Sequence, residues 1–168
     1  MDEFTALASL QLERVKALCS QIDLTYTEMP TPIIGVGVGI AIGFSEIDYT
    51  ICSILAGGNE SHLMLTSGIL KDITQSREIA LPIVNRFNQQ NSSYTVYLHD
   101  AEAGWSLLVQ RATPIEVFLD SPAYLGGLAR GLPIEVQKFR TELAQESTLG
   151  GQPWNWSDRN DLLTRSML

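Results

Sequence analysis

Residues 33–44, "IIGVGVGIAIGF", constrain the fold of this chain more than any other stretch. The glycines at 35, 37, 39 and 43 share one parity, and Val36, Val38, Ile40, Ile42 and Phe44 share the other. Successive side chains of a strand point to opposite faces, so this pattern places a β-branched row on one face and leaves the other nearly bare. A dinucleotide loop needs its glycines after a strand and at the mouth of a helix. Here they lie inside the alternation, and the next residues are the β-rich run "EIDYTICSIL". No Gly-Lys-Ser/Thr comes after the glycines, and no Lys or Arg occurs between Lys16 and Lys71. The segment reads as a strand. Its bare face suits the close approach of a helix or another backbone better than a phosphate.

The same logic yields a meander. Residues 48–56 form a second strand, "GGNES" at 57–61 is a turn, and 62–70 return as a third strand. Before it, residues 2–22 carry Phe4, Ala8, Leu12, Val15, Cys19 and Ile22 at helical spacing. After it, a helix is expected over 77–90 with Ser76 at its cap, and Pro82 implies either a kink or a late start. A hairpin is expected from "SYTVYLH", the turn "DAEAG" and "WSLLVQR". Thr113-Pro114-Ile115-Glu116 has the cap, proline and acid of a helix start, and Pro133-Ile134-Glu135-Val136 repeats the signal. Between them the spacing predicts a short helix broken at Gly126 and Gly127. Val136, Phe139 and Leu143 then mark the inner face of the last long helix.

These elements give an α+β domain over residues 1–149, with α-β-β-β-α-β-β-α order and an antiparallel sheet covered by helices. Residues 150–168 form an ordered C-terminal tail, in which Ser157 is expected to cap a short helix running through Leu162, Leu163 and Met167. Trp154 and Trp156 are costly to leave in water. With Leu162 and Leu163 they are the candidate interface residues, docking on their own domain or on a neighbouring subunit.

At 168 residues the chain can bury roughly 70% of its unfolded surface around one core. A formal charge of −8 disfavours nucleic acid and anionic membrane as partners. The two cysteines, Cys19 and Cys52, form no C-x-x-C motif, and no signal peptide or apolar span is evident, which together point to the cytoplasm. Gly-x-Ser-x-Gly and His-Glu-x-x-His are absent. His62 and His99 fall at strand or hairpin ends, His99-Asp100-x-Glu102 reads as a solvated turn, and Glu116, Asp120 and Glu135 sit near helix starts where acids have a structural use. No catalytic, cofactor-binding or metal-ligating residue is singled out, and no cofactor is expected. Asn85 and Asn88, near the end of the second helix, are placed to lock it to strand or loop backbone through their amides.

The run "PIVNRFNQQNSSYTVYLHDAEAGWSLLVQR" followed by "FLDSPAYLGGLARGLPIEVQKFRTEL" resembles the YbjN-like family, whose members are similar in fold to class I type III secretion chaperones. The resemblance covers roughly residues 3–145 and includes the Asn85-x-x-Asn88 helix end. It implies an antiparallel sheet covered by helices, often dimeric, without a cofactor, and a role in regulation or in holding a client. The resulting expectation is a non-catalytic protein-interaction module, chaperone-like or regulatory, acting on another protein or on itself as a homodimer. The alternative is a small-molecule binder or enzyme with a pocket between sheet and helix.

Overall fold

The computed structural model describes residues 3–29, 39–57, 60–91, 93–101 and 104–166. Of the glycine-rich segment it covers Gly39–Gly43, and these residues form a strand. A short strand β1 (Thr27–Met29) pairs with this strand, β2, which pairs in turn with β3 (Tyr49–Gly57) and then β4 (Glu60–Ile73). A hairpin of β5 (Thr95–Ala101) and β6 (Gly104–Pro114) joins through β6. The result is one six-stranded sheet in the order β1-β2-β3-β4-β6-β5, antiparallel throughout. β1 adds a strand to the expected five. Its three residues, two of them exposed, are too few for an alternation to register in the sequence.

The sheet has two covered faces. On the inner face Ile40, Ile42, Cys52, Leu65 and Leu107 meet Val15 and Cys19 of α1 (Glu3–Gln21), Ile83 and Val84 of α2 (Leu81–Gln90), and Phe139 of α4 (Pro122–Glu146). On the outer face Met29, Ala41, Tyr49, Ile51 and Leu108 meet Trp154 and the tail helix α5 (Arg159–Ser166). Over Gly39–Gly43 the expected alternation holds: Ile40 and Ile42 face the helices and the bare side faces the tail. Phe44, expected in the same row, lies beyond the strand and is exposed, and residues 33–38 lie outside the described residues. No helix among the described residues is long and apolar enough to cross a membrane.

Four local expectations are corrected. The helix expected over 77–90 is a 3-10 turn (Arg77–Ile79), capped by Ser76, followed by α2, so Pro82 falls in the first turn of a late-starting helix. Thr113 does not cap a helix; it is the penultimate residue of β6, and the short α3 (Ile115–Asp120) starts after Pro114. The broken helix and the second helix start at Pro133 are one continuous helix of 25 residues, α4. Gly126 is buried where a side chain would press on the Arg130 guanidinium at 3.0 Å and on Ile22 at 3.3 Å. Pro133 is tolerated because of a partner on the sheet. Proline has no amide to give the carbonyl four residues earlier, and that carbonyl, on Ala129, instead accepts the Thr50 hydroxyl at 2.8 Å. Finally, Ser157 lies within the tail's 3-10 turn (Trp156–Asp158) rather than at its cap, where the Asp158 carboxylate accepts the Asn155 amide at 2.9 Å. Met167 lies outside the described residues.

Candidate interaction surface

The residues with ordinary catalytic chemistry are dispersed. His62 pairs with the Pro114 end of β6 and His99 with the Ser106 end, so the two histidines stand at opposite ends of one strand. Asp100 forms an ion pair with Arg77, and Glu102 lies outside the described residues. Glu116 and Asp120 are exposed, and Glu135 pairs with Lys138 on the same helix. Cys19 and Cys52 are buried, and burial pushes the Cys19 thiol up to about 11 and that of Cys52 higher still. Thiols held protonated in this way are poor nucleophiles. Among the described residues no group of three or more His, Cys, Asp or Glu could hold a metal ion.

Asn88 and Asn85 part ways. The Asn88 side chain donates to Val96 O at 2.9 Å and accepts Val96 N–H at 2.8 Å, tying α2 to the edge of β5, while Asn85 is exposed.

The four candidate interface residues of the tail sit against the chain's own sheet. Trp154 is 0% exposed, Leu162 0% and Leu163 1%; Trp156 is half-buried. Glycines cut the seat. A side chain at Gly68 would occupy the Trp154 ring, one at Gly39 would reach Leu163 at 3.3 Å, and one at Gly43 would reach Trp156 at 3.0 Å. Polar contacts fix the register. Lys71 and Gln152 exchange backbone bonds at 2.8 and 3.0 Å, the Trp154 indole donates to Leu70 O at 3.1 Å, and Tyr49 donates to Asn155 O at 2.8 Å. Lys71 and Asp158 add an ion pair at 3.0 Å.

One open apolar surface lies beside the turn from β2 to β3. Phe44 is 44% exposed, Ile47 37% and, on α4, Ile134 55%. Phe44, Asp48, Arg130, Pro133, Ile134 and Gln137 line a groove of about 290 Å³, open to solvent. The turn is braced from both ends. Phe44 and Ser45 donate their amides to Asp48 O, and the Ser45 hydroxyl donates to the Asp48 carboxylate. From α4, Arg140 reaches under it. Its guanidinium donates to Ile69 O at 2.8 Å, Gly68 O at 2.9 Å and Ile47 O at 3.4 Å, and stands 3.8 Å from Asp48. Burial draws the Arg140 pKa below its ordinary value, opposed by the charge of Asp48. The carbonyls of Gly68 and Ile69 are available because the β4–β6 ladder shifts register between Gly68 and Leu70.

Two further grooves, of about 530 and 570 Å³, are likewise open. One lies between the same turn and Trp156, the other between Arg77, Leu81 and Asp100. None of the three is an enclosed chamber with converging polar groups.

Phe44, Ile47, Arg130 and Ile134 were not separable from core residues by local pattern, since the groove joins a turn to a distant helix. One signal was present. If the helix runs through Pro133, the inward set Val136, Phe139 and Leu143 turns Ile134 toward solvent.

No protein-family model and no curated protein matches this sequence. Among solved structures it is similar to the crystal structure of YbjN of E. coli, described as a candidate transcription regulator, over 84% of this chain and 96% of that one. The TM-score is 0.51 at 10% identity, so the likeness is one of fold: the chain has a YbjN-like α+β architecture.

Proposed function

We propose that this chain is a non-catalytic protein-interaction module, regulatory or chaperone-like, that works as a homodimer. The observation that carries the reading is the open groove at Phe44, Pro133 and Ile134. Small-molecule sites are concave, mostly enclosed and furnished with a few convergent polar groups. Large apolar side chains held out in water on a braced frame are instead what a protein surface offers a protein partner. The description of the similar YbjN structure as a candidate transcription regulator supports the regulatory side of the reading. A formal charge of −8 works against direct binding of nucleic acid, so regulation would run through contacts between proteins.

The test is the solution mass of the full-length protein by light scattering across a concentration series. The reading expects twice the chain mass of 18.5 kDa. A mass that stays at one chain throughout would remove the homodimer.

A further inference from the structure

We infer that Arg140 couples the two faces of the sheet, so that docking of the tail on the outer face and seating of α4 on the inner face stabilise one another. Through this coupling the tail governs the set of the exposed Phe44 and Ile47. The coupling stands on contacts within one chain and holds whether or not the protein pairs with a second copy.

Two segments depart from regular strand pairing, and each is gripped from both faces. The first is the stretch Gly68–Leu70, where the β4–β6 register shifts. From the inner face Arg140 of α4 donates to Gly68 O at 2.9 Å and to Ile69 O at 2.8 Å. From the outer face the Trp154 indole donates to the next carbonyl, Leu70 O, at 3.1 Å, and its ring lies on Gly68. Successive carbonyls are thus divided between helix and tail.

The second segment is the β2–β3 turn. Glu46 O accepts the Trp156 amide of the tail at 2.6 Å. The next carbonyl, Ile47 O, accepts from Arg140 at 3.4 Å, and the Asp48 carboxylate stands 3.8 Å from the same guanidinium. Tyr49 then returns to the tail, through its bond to Asn155 O and an edge-on contact of 5.4 Å with the Trp156 ring. Neighbouring residues again alternate between the two layers.

One side chain is common to both segments. Arg140 is 12% exposed and reaches the shifted stretch and the turn together. A buried cation that loses its acceptors is costly, so neither segment can move without drawing the other or leaving the guanidinium unpaired. Undocking the tail takes a fully buried ring off Gly68 and the Trp156 ring off Gly43. Both segments then relax, and the grip of Arg140 relaxes with them. Phe44 and Ile47 flank Glu46 and are carried by the turn, so the apolar surface beside α4 takes its position from a tail across the sheet. Contiguous contacts of this kind carry coupling between sites, and coupling free energies are reciprocal.

The experiment is native-state hydrogen exchange by NMR on the full-length chain, comparing wild type with Arg140→Lys and Trp156→Ala. The tail reports through the amides of Gln152 and position 156, which donate to Lys71 O and Glu46 O. The inner grip reports through Arg140 Nε–H, which donates to Ile69 O. Arg140→Lys keeps the charge, loses the planar fork and bears on the tail only through the sheet. It is expected to raise exchange of both tail amides roughly tenfold. Trp156→Ala is expected to raise exchange of Arg140 Nε–H by a similar factor. Asn88→Ala loosens the far edge of the sheet at Val96 and separates coupling from a general loss of stability; it should leave the tail amides at their wild-type rates. Tail amides that Arg140→Lys raises no more than Asn88→Ala does would overturn the coupling. Should Arg140→Lys fail to fold, the Arg140 Nε–H in Trp156→Ala decides, and a wild-type rate there overturns it equally. A wild-type monomer would remove the proposed homodimer and leave this coupling standing.

Discussion

A single hydroxyl takes over a backbone bond that the longest helix among the described residues loses to a proline. Pro133 leaves the Ala129 carbonyl without its helical donor, and Thr50 supplies one from β3, 79 positions away in sequence. Both Thr50 and Ala129 are fully buried, so no solvent can substitute. Thr50→Val keeps the shape and removes the donor, and an unpaired buried carbonyl should cost ~1–3 kcal/mol in denaturant unfolding. Pro133→Ala returns an amide to the helix. In that background the cost of Thr50→Val should shrink, and a double-mutant cycle with no coupling would refute the compensation. Asn88 works on the same principle at the edge of the sheet, where its amide serves both backbone groups of Val96. Its role could be anticipated from an amide at a helix end ahead of a hairpin. That Asn85 would take no part could not, because the choice depends on the angle between α2 and β5.

At the scale of elements, the tail and its seat fit closely, with Trp154 against Gly68 and Trp156 against Gly43. Gly68→Ala would drive a methyl group into the fully buried Trp154 ring, which has little room to move. Overpacking of this kind typically costs roughly 1–3 kcal/mol. The expected outcome is a lowered melting temperature together with a red shift of tryptophan emission as Trp154 meets water; an unchanged emission maximum would mean that the strand, not the tail, gives way. Much of this was legible in the chain. The alternation at Gly39–Gly43 pointed to a strand with one bare face and a close neighbour on it, and Leu163 and Trp156 stand there. The neighbour's identity was not legible, because the seat is assembled from Gly39 and Gly43 of β2 and Gly68 of β4, which are not adjacent strands. The continuity of α4 was hidden for the same reason. The proline is local and its remedy is not. The open groove belongs with these, being formed only when the β2–β3 turn meets the middle of α4.

For the molecule as a whole, burial of weak acids on both sheet faces links stability to pH. Cys19 is pushed up to about 11 and Tyr97 to about 12 by burial, and Cys52 and Tyr49 are raised for the same reason. These groups keep their protons longer in the folded state than in the unfolded chain. The contribution of Cys19 is therefore fully present below its ordinary value of 9.0 and is lost as pH rises through about 11, and that of Tyr97 is fully present below 10.0 and is lost through about 12. The melting temperature should fall progressively across that window, and both thiols should resist a disulfide reagent at neutral pH until the protein is unfolded. A flat profile between 9 and about 11 would show that these groups are not linked to folding.

The glycine-cut seat also sets an order of events in time. Its notches belong to β2 and β4 and lie beside β3 and β6, so none of them exists while those strands are apart. The expected order is that the tail closes over a sheet that is already paired, and removing it should then speed unfolding without slowing folding in stopped-flow measurements. Interactions made after the folding barrier slow unfolding and leave the folding rate nearly untouched. On that order, the residues that dock last would set how long the native state endures.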